Sequence, residues 1–499
     1  MDTGIYNIPI AGETARRVNM LNEISFFADK YNMFPESGAV LACVSGGADS
    51  MCLLEALLEI SRERGFTVST AHYNHMLRGD ESMRDESFVK EHCASRNVPF
   101  YSAAGDIKAY AAARRIGIEE AAREARYGFF IETAEEIGAA RIATAHTADD
   151  NTETIIINLA RGAGSAGLSG IPPVRGINKC ADGRDGLVLR DRYAPGCDRS
   201  AEQDIIIIRP MLCISRADIM RFMSERRAAF IEDSSNSLDI YTRNKVRHII
   251  IPVIRDINPK YQRAFGSAAE LLRADEAYLS KIADEFIAER CGRDSADAGE
   301  LLELPFAVSG RVIRKMSGRS LSLDHVKAVL ELCKRNGPPA RISLPGMNVY
   351  REYDRIVFDK GPGGRADGFE PIYPVDGDCV MIPGVKLKLS CKVVIYDDII
   401  NESIHESFTS FLFKYSELCG KMTVRPRRAG DAIKLSGQRG TKTLKKLFIE
   451  RRIPERKRGL IPVVADDIGV LAVLGVGMGD RAVPEPGDLA FQIKFEELQ

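Results

Sequence analysis

The run Ala39-Val40-Leu41-Ala42-Cys43-Val44-Ser45-Gly46-Gly47-Ala48-Asp49-Ser50-Met51-Cys52-Leu53-Leu54 decides how this chain reads. Its first six residues are apolar or small, the pattern of a strand buried inside a parallel sheet. After Asp49 the apolar residues take the i, i+3, i+4 spacing of a helix packed on that sheet. Gly46 and Gly47 let the backbone between them turn sharply and come close to a ligand. The helix start adds N–H groups without intrahelical partners at the positive end of a dipole, so the stretch predicts an anion site. The Lys of a Gly-x-x-x-x-Gly-Lys-Ser/Thr loop is absent, and Asp49 stands in the turn. A carboxylate beside a phosphate cradle makes chemical sense with Mg²⁺ between the two. The plainer alternative is a Ser/Gly turn capping an ordinary βα unit.

Working outward, the chain alternates between strands and helices. Strands are predicted at 39–44, 67–72, 98–102, 141–146 and 205–208, and helices at 21–31, 49–63, 80–96, 118–138 and 150–160. Continuous apolar strands between amphipathic helices indicate an α/β fold with a doubly wound parallel sheet. Ligands of such sheets bind beyond the carboxyl ends of the strands.

Three stretches at those ends hold chemistry. His72-Tyr73-Asn74-His75-Met76-Leu77-Arg78-Gly79-Asp80 follows the second strand. Its histidines lack a third N/S ligand at useful spacing for a metal, and Arg78 is a natural phosphate contact. In Glu119-Glu120-Ala121-Ala122-Arg123-Glu124-Ala125-Arg126, Arg123 and Arg126 share a helix face. They can reach an anion together or pair with Glu119 and Glu120. Asp149-Asp150-Asn151-Thr152-Glu153 opens the helix after the fourth strand, with Asp150 and Glu153 on one face. A dipole-favoured acidic helix start accounts for one carboxylate; three in five residues predict a cation site for Mg²⁺ or an ammonium group.

Composition sets bounds. The 499 residues suggest two to four domains, and 45% hydrophobic with 28% charged residues is a globular mix. No apolar run approaches the ~20 residues that span a bilayer. The first 38 residues lack an apolar signal core, so a cytoplasmic protein is expected. Eleven scattered cysteines without a Cys-x-x-Cys pair suit reduced thiols rather than zinc or an iron–sulfur cluster. The net charge of −1 hides an asymmetry: residues 421–460 hold fourteen Lys/Arg against three acids. That excess is more than a solvated face needs and points to RNA phosphates.

The Ser45-Gly46-Gly47-Ala48-Asp49-Ser50 loop resembles the PP-loop of ATP pyrophosphatases. The resemblance narrows with His72-x-Asn74-His75-x-Leu77-Arg78, Ala122-Arg123-x-x-Arg126-Tyr127 and Ala145-His146-x-Ala148-Asp149-Asp150-x-x-Glu153-Thr154. Further on come Leu159-x-Arg161-Gly162-x-Gly164, Gly170-Ile171-Pro172-Pro173, Arg209-Pro210-Met211-Leu212, Glu232-Asp233-Ser234-Ser235-Asn236 and Arg243-Asn244-x-x-Arg247. Together, in this order, they resemble the tRNA(Ile)-lysidine synthetase family. Two positions depart from its pattern: Thr147 stands where a second His is usual, and Asn151 where Gln is usual.

The resemblance implies a reaction and a division of labour. ATP adenylates the C2 carbonyl oxygen of the wobble cytidine of a CAU-anticodon isoleucine tRNA, and the ε-amine of free L-lysine displaces AMP. ATP contacts are then expected at Ser45, Gly46, Gly47, Ala48, Asp49, Ser50, His72, Arg78, Arg126 and His146, with Mg²⁺ on Asp49. Asp49, Asp150 and Glu153 are the expected catalytic groups, and Asp150 and Glu153 are expected to hold the ammonium. Contacts to tRNA are expected from Arg243, Arg247, Arg425, Arg427, Lys442, Lys445, Lys446 and Arg452. The expected division is an N-terminal extension and lead-in helix (1–37), a catalytic domain (38–235, with a surface insertion at 175–204), a mainly helical middle domain (236–365) and a small α+β tRNA-binding domain (366–499). Monomer and homodimer both stay open. A PP-loop tRNA thiolase is the alternative, disfavoured by the missing Cys-x-x-Cys; a non-catalytic RNA-binding protein is the third reading.

Overall fold

Alternate residues of strand β1 (Ala39–Cys43) face two different cores, and this fixes the architecture. Val40 and Ala42 join the cluster that contains Met51, Leu53, Leu54 and Leu57 of helix α2 (Ala48–Arg64). Leu41 joins Tyr127, Phe130 and Ile131 on the opposite face. A strand buried on both faces needs apolar residues throughout, which is why the run 39–44 shows no polar alternation.

A computed structural model describes residues 13–76, 80–177, 205–231, 242–335, 339–360, 368–396, 409–438 and 440–497. The chain divides into two compact units, Met1–Lys281 and Ile282–Gln499. The division falls within the helix Tyr261–Arg290.

In the first unit β1 pairs in parallel with β2 (Thr67–Asn74), which pairs with β3 (Phe100–Ala104). On its other side β1 pairs in parallel with β4 (Arg141–Ala143). A short antiparallel strand β5 (Val174–Gly176) closes the far edge against β6 (Ile206–Ile208), giving the order β3-β2-β1-β4-β6-β5. The doubly wound parallel sheet is thus as expected, except at that edge. The first two residues of the expected surface insertion, 175 and 176, belong to that edge strand; 178–204 lie outside the described residues. The helices of this unit are α1 (Glu13–Lys30), α2, α3 (Asp80–Ser95), α4 (Ile107–Arg114), α5 (Ile118–Glu136) and α6 (Ala148–Ala160), followed by shorter ones. Helix α4 was not foreseen; Asp106 caps it, its carboxylate accepting from the Lys108 and Ala109 amides.

The second unit opens on the end of the long helix and builds an antiparallel sheet from Ser295–Asp297, Ala340–Leu344, Met347–Glu352 and Arg355–Asp359. Helices Ala298–Glu303, Phe306–Ser317 and Leu323–Lys334 follow its first strand. Strands Cys379–Met381, Leu387–Ile395, Ser410–Lys414 and Leu489–Glu497 form one sheet of the C-terminal module. Strands Thr423–Arg425, Val463–Ala465, Val470–Val473 and Gly477–Met478 form another. The basic stretch of this module holds a short helix, Leu444–Glu450, capped by Thr443 of the strand Lys442–Thr443 before it.

Candidate active site

Two helices start beside each other at the carboxyl edge of the sheet, α2 after β1 and α6 after β4. The turn into α2 is built by backbone and hydroxyls. Gly46 has φ +94°, in the region that favours glycine, and a Cβ there would stand 3.0 Å from Ile231 Cδ1. The Ser45 amide donates to Ser50 Oγ (3.1 Å) and Ser50 Oγ donates to the Gly47 carbonyl (2.9 Å). The Ile231 amide donates to the Gly46 carbonyl at 2.9 Å. Gly47, the residue at the cap position of α2, has no side chain to bond the first amides, so they have no side-chain acceptor from the cap.

Asp49 lies in the first turn of α2, half-buried. Its Oδ2 accepts from Arg216 Nη1 at 2.9 Å, while Oδ1 is buried with no hydrogen-bond partner among the described residues. Burial raises its pKa, with Arg216 opposing and Asp150 adding to the rise. A buried carboxylate oxygen without a donor fits a cation ligand. No group of three or more His, Cys, Asp or Glu among the described residues could hold a metal. Mg²⁺, which is commonly held by one or two carboxylates together with substrate phosphates, would fit Asp49.

His72 is buried, and its Nδ1 donates to the Val44 carbonyl at 2.9 Å; burial lowers its pKa, the Val44 bond opposing. His146 meets Thr144 Oγ1 at 3.0 Å through Nδ1, and burial with Arg209 nearby lowers its pKa to about 3. The cationic centres of Arg123 and Arg126 lie 5.1 and 5.9 Å from the Tyr127 ring centroid. His75 has a buried Nδ1 without a partner among the described residues, and burial followed by the Arg126 charge lowers its pKa to about 4. Arg78, named above as an ATP contact, lies outside the described residues, as does the 232–236 motif.

The three carboxylates of α6 separate into different roles. Asp149 is consumed by scaffolding: Oδ1 accepts from Tyr261 Oη (2.7 Å) and Gln262 Nε2 (3.3 Å), and Oδ2 from the Arg216 amide (2.8 Å). Asp150 closes a capping box with Thr147: Oδ2 accepts from the Thr147 amide and hydroxyl at 3.0 Å each, and the Asp150 amide donates to Thr147 Oγ1 at 3.2 Å. The unusual Thr147 is therefore a helix cap. The unusual Asn151 accepts from the Ile171 amide at 2.8 Å and fills the space where a Cβ on Gly170 would sit.

Glu153 is 1% exposed. Its Oε1 accepts from Arg247 Nε at 2.7 Å and its Oε2 from Arg247 Nη2 at 3.3 Å, with Arg243 Nε at 3.2 Å from Oε2. Burial nonetheless raises its pKa, Arg247 opposing. The two arginines expected on RNA thus stand on this carboxylate, because a carboxylate buried so deeply needs cations within hydrogen-bond reach.

Two neighbours of the site were missed in the sequence. Arg216 bridges Asp49 and Asp149. Arg209 is 2% exposed; it donates to the Pro172 carbonyl at 2.6 Å and its Nε lacks a partner among the described residues. Only the Arg209-Pro210 motif hinted at the second.

In the second unit, Arg425 is buried in a two-pronged pair with Asp431 (2.8 and 3.0 Å), so this expected RNA contact is turned inward. Lys442 pairs with Glu450 at 2.8 Å and Arg452 with Asp354 at 3.0 Å. Arg427 is half-buried, and Lys445 and Lys446 are exposed.

Residues 18–254 match the PP-loop domain model, and residues 422–494 match the TilS substrate C-terminal domain model. The tRNA(Ile)-lysidine synthase of Geobacillus kaustophilus is 32% identical over 466 residues, 90% of this chain and 93% of that protein. The chain belongs to the tRNA(Ile)-lysidine synthase family. The synthase of Dehalococcoides mccartyi is 29% identical over 96% of this chain and 100% of that protein. Among solved structures, the TILS C-terminal domain is 22% identical, with TM-score 0.24, over 26% of this chain and 98% of that chain. Family membership makes the chain a tRNA-modifying ligase that uses ATP. These relatives and the C-terminal domain match do not favour the thiolase alternative.

Proposed function

We propose that the enzyme ligates free L-lysine to C2 of the wobble cytidine of a CAU-anticodon isoleucine tRNA, with ATP spent to AMP and pyrophosphate. The observation that carries this reading is Asp49 Oδ1, buried without a partner among the described residues at the mouth of a helix with no side-chain cap, beside a second helix presenting Asp150 and Glu153. The α2 amides and the 45–50 turn hold the phosphates, and His72 fixes the turn through the Val44 carbonyl. Mg²⁺ on Asp49 would supply charge neutralisation as pyrophosphate leaves. His146, held neutral, lines the ATP side without repelling the substrate amine, and Arg126 balances phosphate charge.

The cytidine carbonyl oxygen attacks the α-phosphate and expels pyrophosphate. Lysine then gives up its proton and attacks C2, breaking the C2–O bond and releasing AMP. Asp150 and Glu153 bind the amine, and one of them takes the proton. The wobble base must leave its stack to be reached, at a cost of a few kcal/mol that a single-stranded loop keeps low. In this reading residues 38–235 do the chemistry, and the module from 366 grips tRNA through Arg427, Lys442, Lys445, Lys446 and Arg452. The protein works in the cytoplasm, where aminoacylation draws on the product.

Incubating the full chain with that tRNA, ATP and labelled lysine should place label in RNA with matching release of AMP. AMP without labelled RNA would overturn the proposal.

A further inference from the structure

The carboxylate assigned to the amine is already occupied. Arg247 meets Glu153 with two nitrogens, at 2.7 and 3.3 Å, and its Nη2 also stands 3.9 Å from Asp150. One guanidinium thus spans both groups assigned to the ammonium. Arg243 makes a single, longer approach and divides its attention, donating through Nη2 to Thr154 Oγ1 at 3.2 Å. With Glu153 only 1% exposed, removing Arg247 without a replacement would leave a buried negative charge short of its main partner.

We propose that Arg247 is the resident cation of the amine subsite, a specificity-determining residue that the substrate's ammonium displaces one charge for one. This rests on the reading that Glu153 binds the amine, and adds how the subsite stays closed until a cation arrives. The exchange conserves charge, so Glu153 is never left bare. It also selects: a neutral or anionic amino-acid side chain brings no cation to trade.

The backbone under Arg247 suits such a movement. Val246–Ile250 is a π-helical turn, with the Ile251 amide donating to the Val246 carbonyl, inserted between Thr242–Lys245 and the α-helix Ile251–Ile257. Such wide turns occur mostly as single turns within α-helices, frequently at functional sites. Tightening one by a residue turns what lies on it by roughly 100° about the helix axis, enough to swing Arg247 away from α6.

A resident competitor lowers apparent affinity by the fraction of time it holds the site. In the full chain with tRNA and ATP, Arg247→Ala should therefore lower KM for lysine about tenfold, with KM for ATP and tRNA within about twofold. Millimolar guanidinium should raise the lysine KM of that variant and barely touch the wild type. Arg247→Lys, which keeps a cation, should fall between the two. Wild-type protein needs no variant for a parallel check: lysine should speed amide exchange across 246–251. A lysine KM unchanged or raised in both variants overturns the inference, as does a change confined to ATP or tRNA, or exchange at 246–251 that lysine leaves unaltered. Wild type that transfers no lysine to RNA would instead sink the reading beneath it.

Discussion

Helices α2 and α6 begin next to each other at one edge of one sheet, and they are finished in opposite ways. Gly47 leaves the first amides of α2 without a side-chain acceptor from the cap, and Asp49 leaves one buried oxygen without a donor among the described residues. Thr147 and Asp150 close α6 with a full capping box, and Glu153 has every oxygen paired. Capping is worth typically ~1 kcal/mol, so an uncapped helix with an orphaned carboxylate forgoes stability that its neighbour keeps. In the proposed reading, the first end takes an external anion and its cation, and the second presents carboxylates held in place by the protein's own arginines.

The largest effect comes from making α2 resemble α6. Gly47 has φ −72° and ψ 161°, and a Cβ there would meet only Ser45 Oγ, at 3.8 Å. Gly47→Asp should therefore fold at least as stably as the wild type. A carboxylate across the phosphate amides costs several kcal/mol, so ATP affinity should drop about 10²-fold or more; unchanged ATP binding by calorimetry would break the contrast. Asp49→Ala should slow adenylation by at least ~10²-fold, the scale on which a key electrostatic group acts. Near-normal ATP–pyrophosphate exchange would contradict its role.

Helix α2 repeats the contrast along its own length. Glu55 is 3% exposed, yet its carboxylate accepts from His92 and Arg96 at 2.9 Å each and Arg226 at 3.3 Å. Burial alone would raise its pKa, but the hydrogen bonds from His92 and Arg96 outweigh it and bring the group from 4.5 to about 2. A depressed carboxyl stabilises the fold above its unfolded pKa and loses that as pH falls through the folded one. Glu55→Gln should cost roughly 3 kcal/mol at pH 7 in urea unfolding, with the difference vanishing between about pH 4.5 and 2. A pH-independent loss would count against the ion cluster. The smallest effect is at the other helix: Thr147→Ala should cost about 1 kcal/mol and leave ATP affinity unchanged, and loss of ATP binding there would mean the two helix ends are not distinct.

Local grammar was legible in the sequence. The apolar run into Ser45-Gly46-Gly47, and the alternation beyond it, read directly as a parallel sheet with its ligand edge at the carboxyl ends of the strands. What escaped was decided by distant partners. Asp149, Asp150 and Glu153 look alike in sequence, and only Tyr261 and Arg216, far along the chain, make the first a strut. Arg243 and Arg247 read as RNA contacts because nothing local shows that they reach back to Glu153. The edge strand Val174–Gly176 is too short for periodicity to reveal, and it owes its existence to Ile206–Ile208 alongside it. Thr147 and Asn151, conspicuous as departures, proved to be a cap and a brace for the Gly170 turn.

The central claim is that the bare start of α2, and not the capped start of α6, takes the triphosphate. Amide hydrogen exchange of the full chain with and without a non-hydrolysable ATP analogue and Mg²⁺ tests it directly. The account predicts strong protection across 46–51 and little change across 148–153. Equal protection at both starts, or protection confined to 148–153, would contradict it.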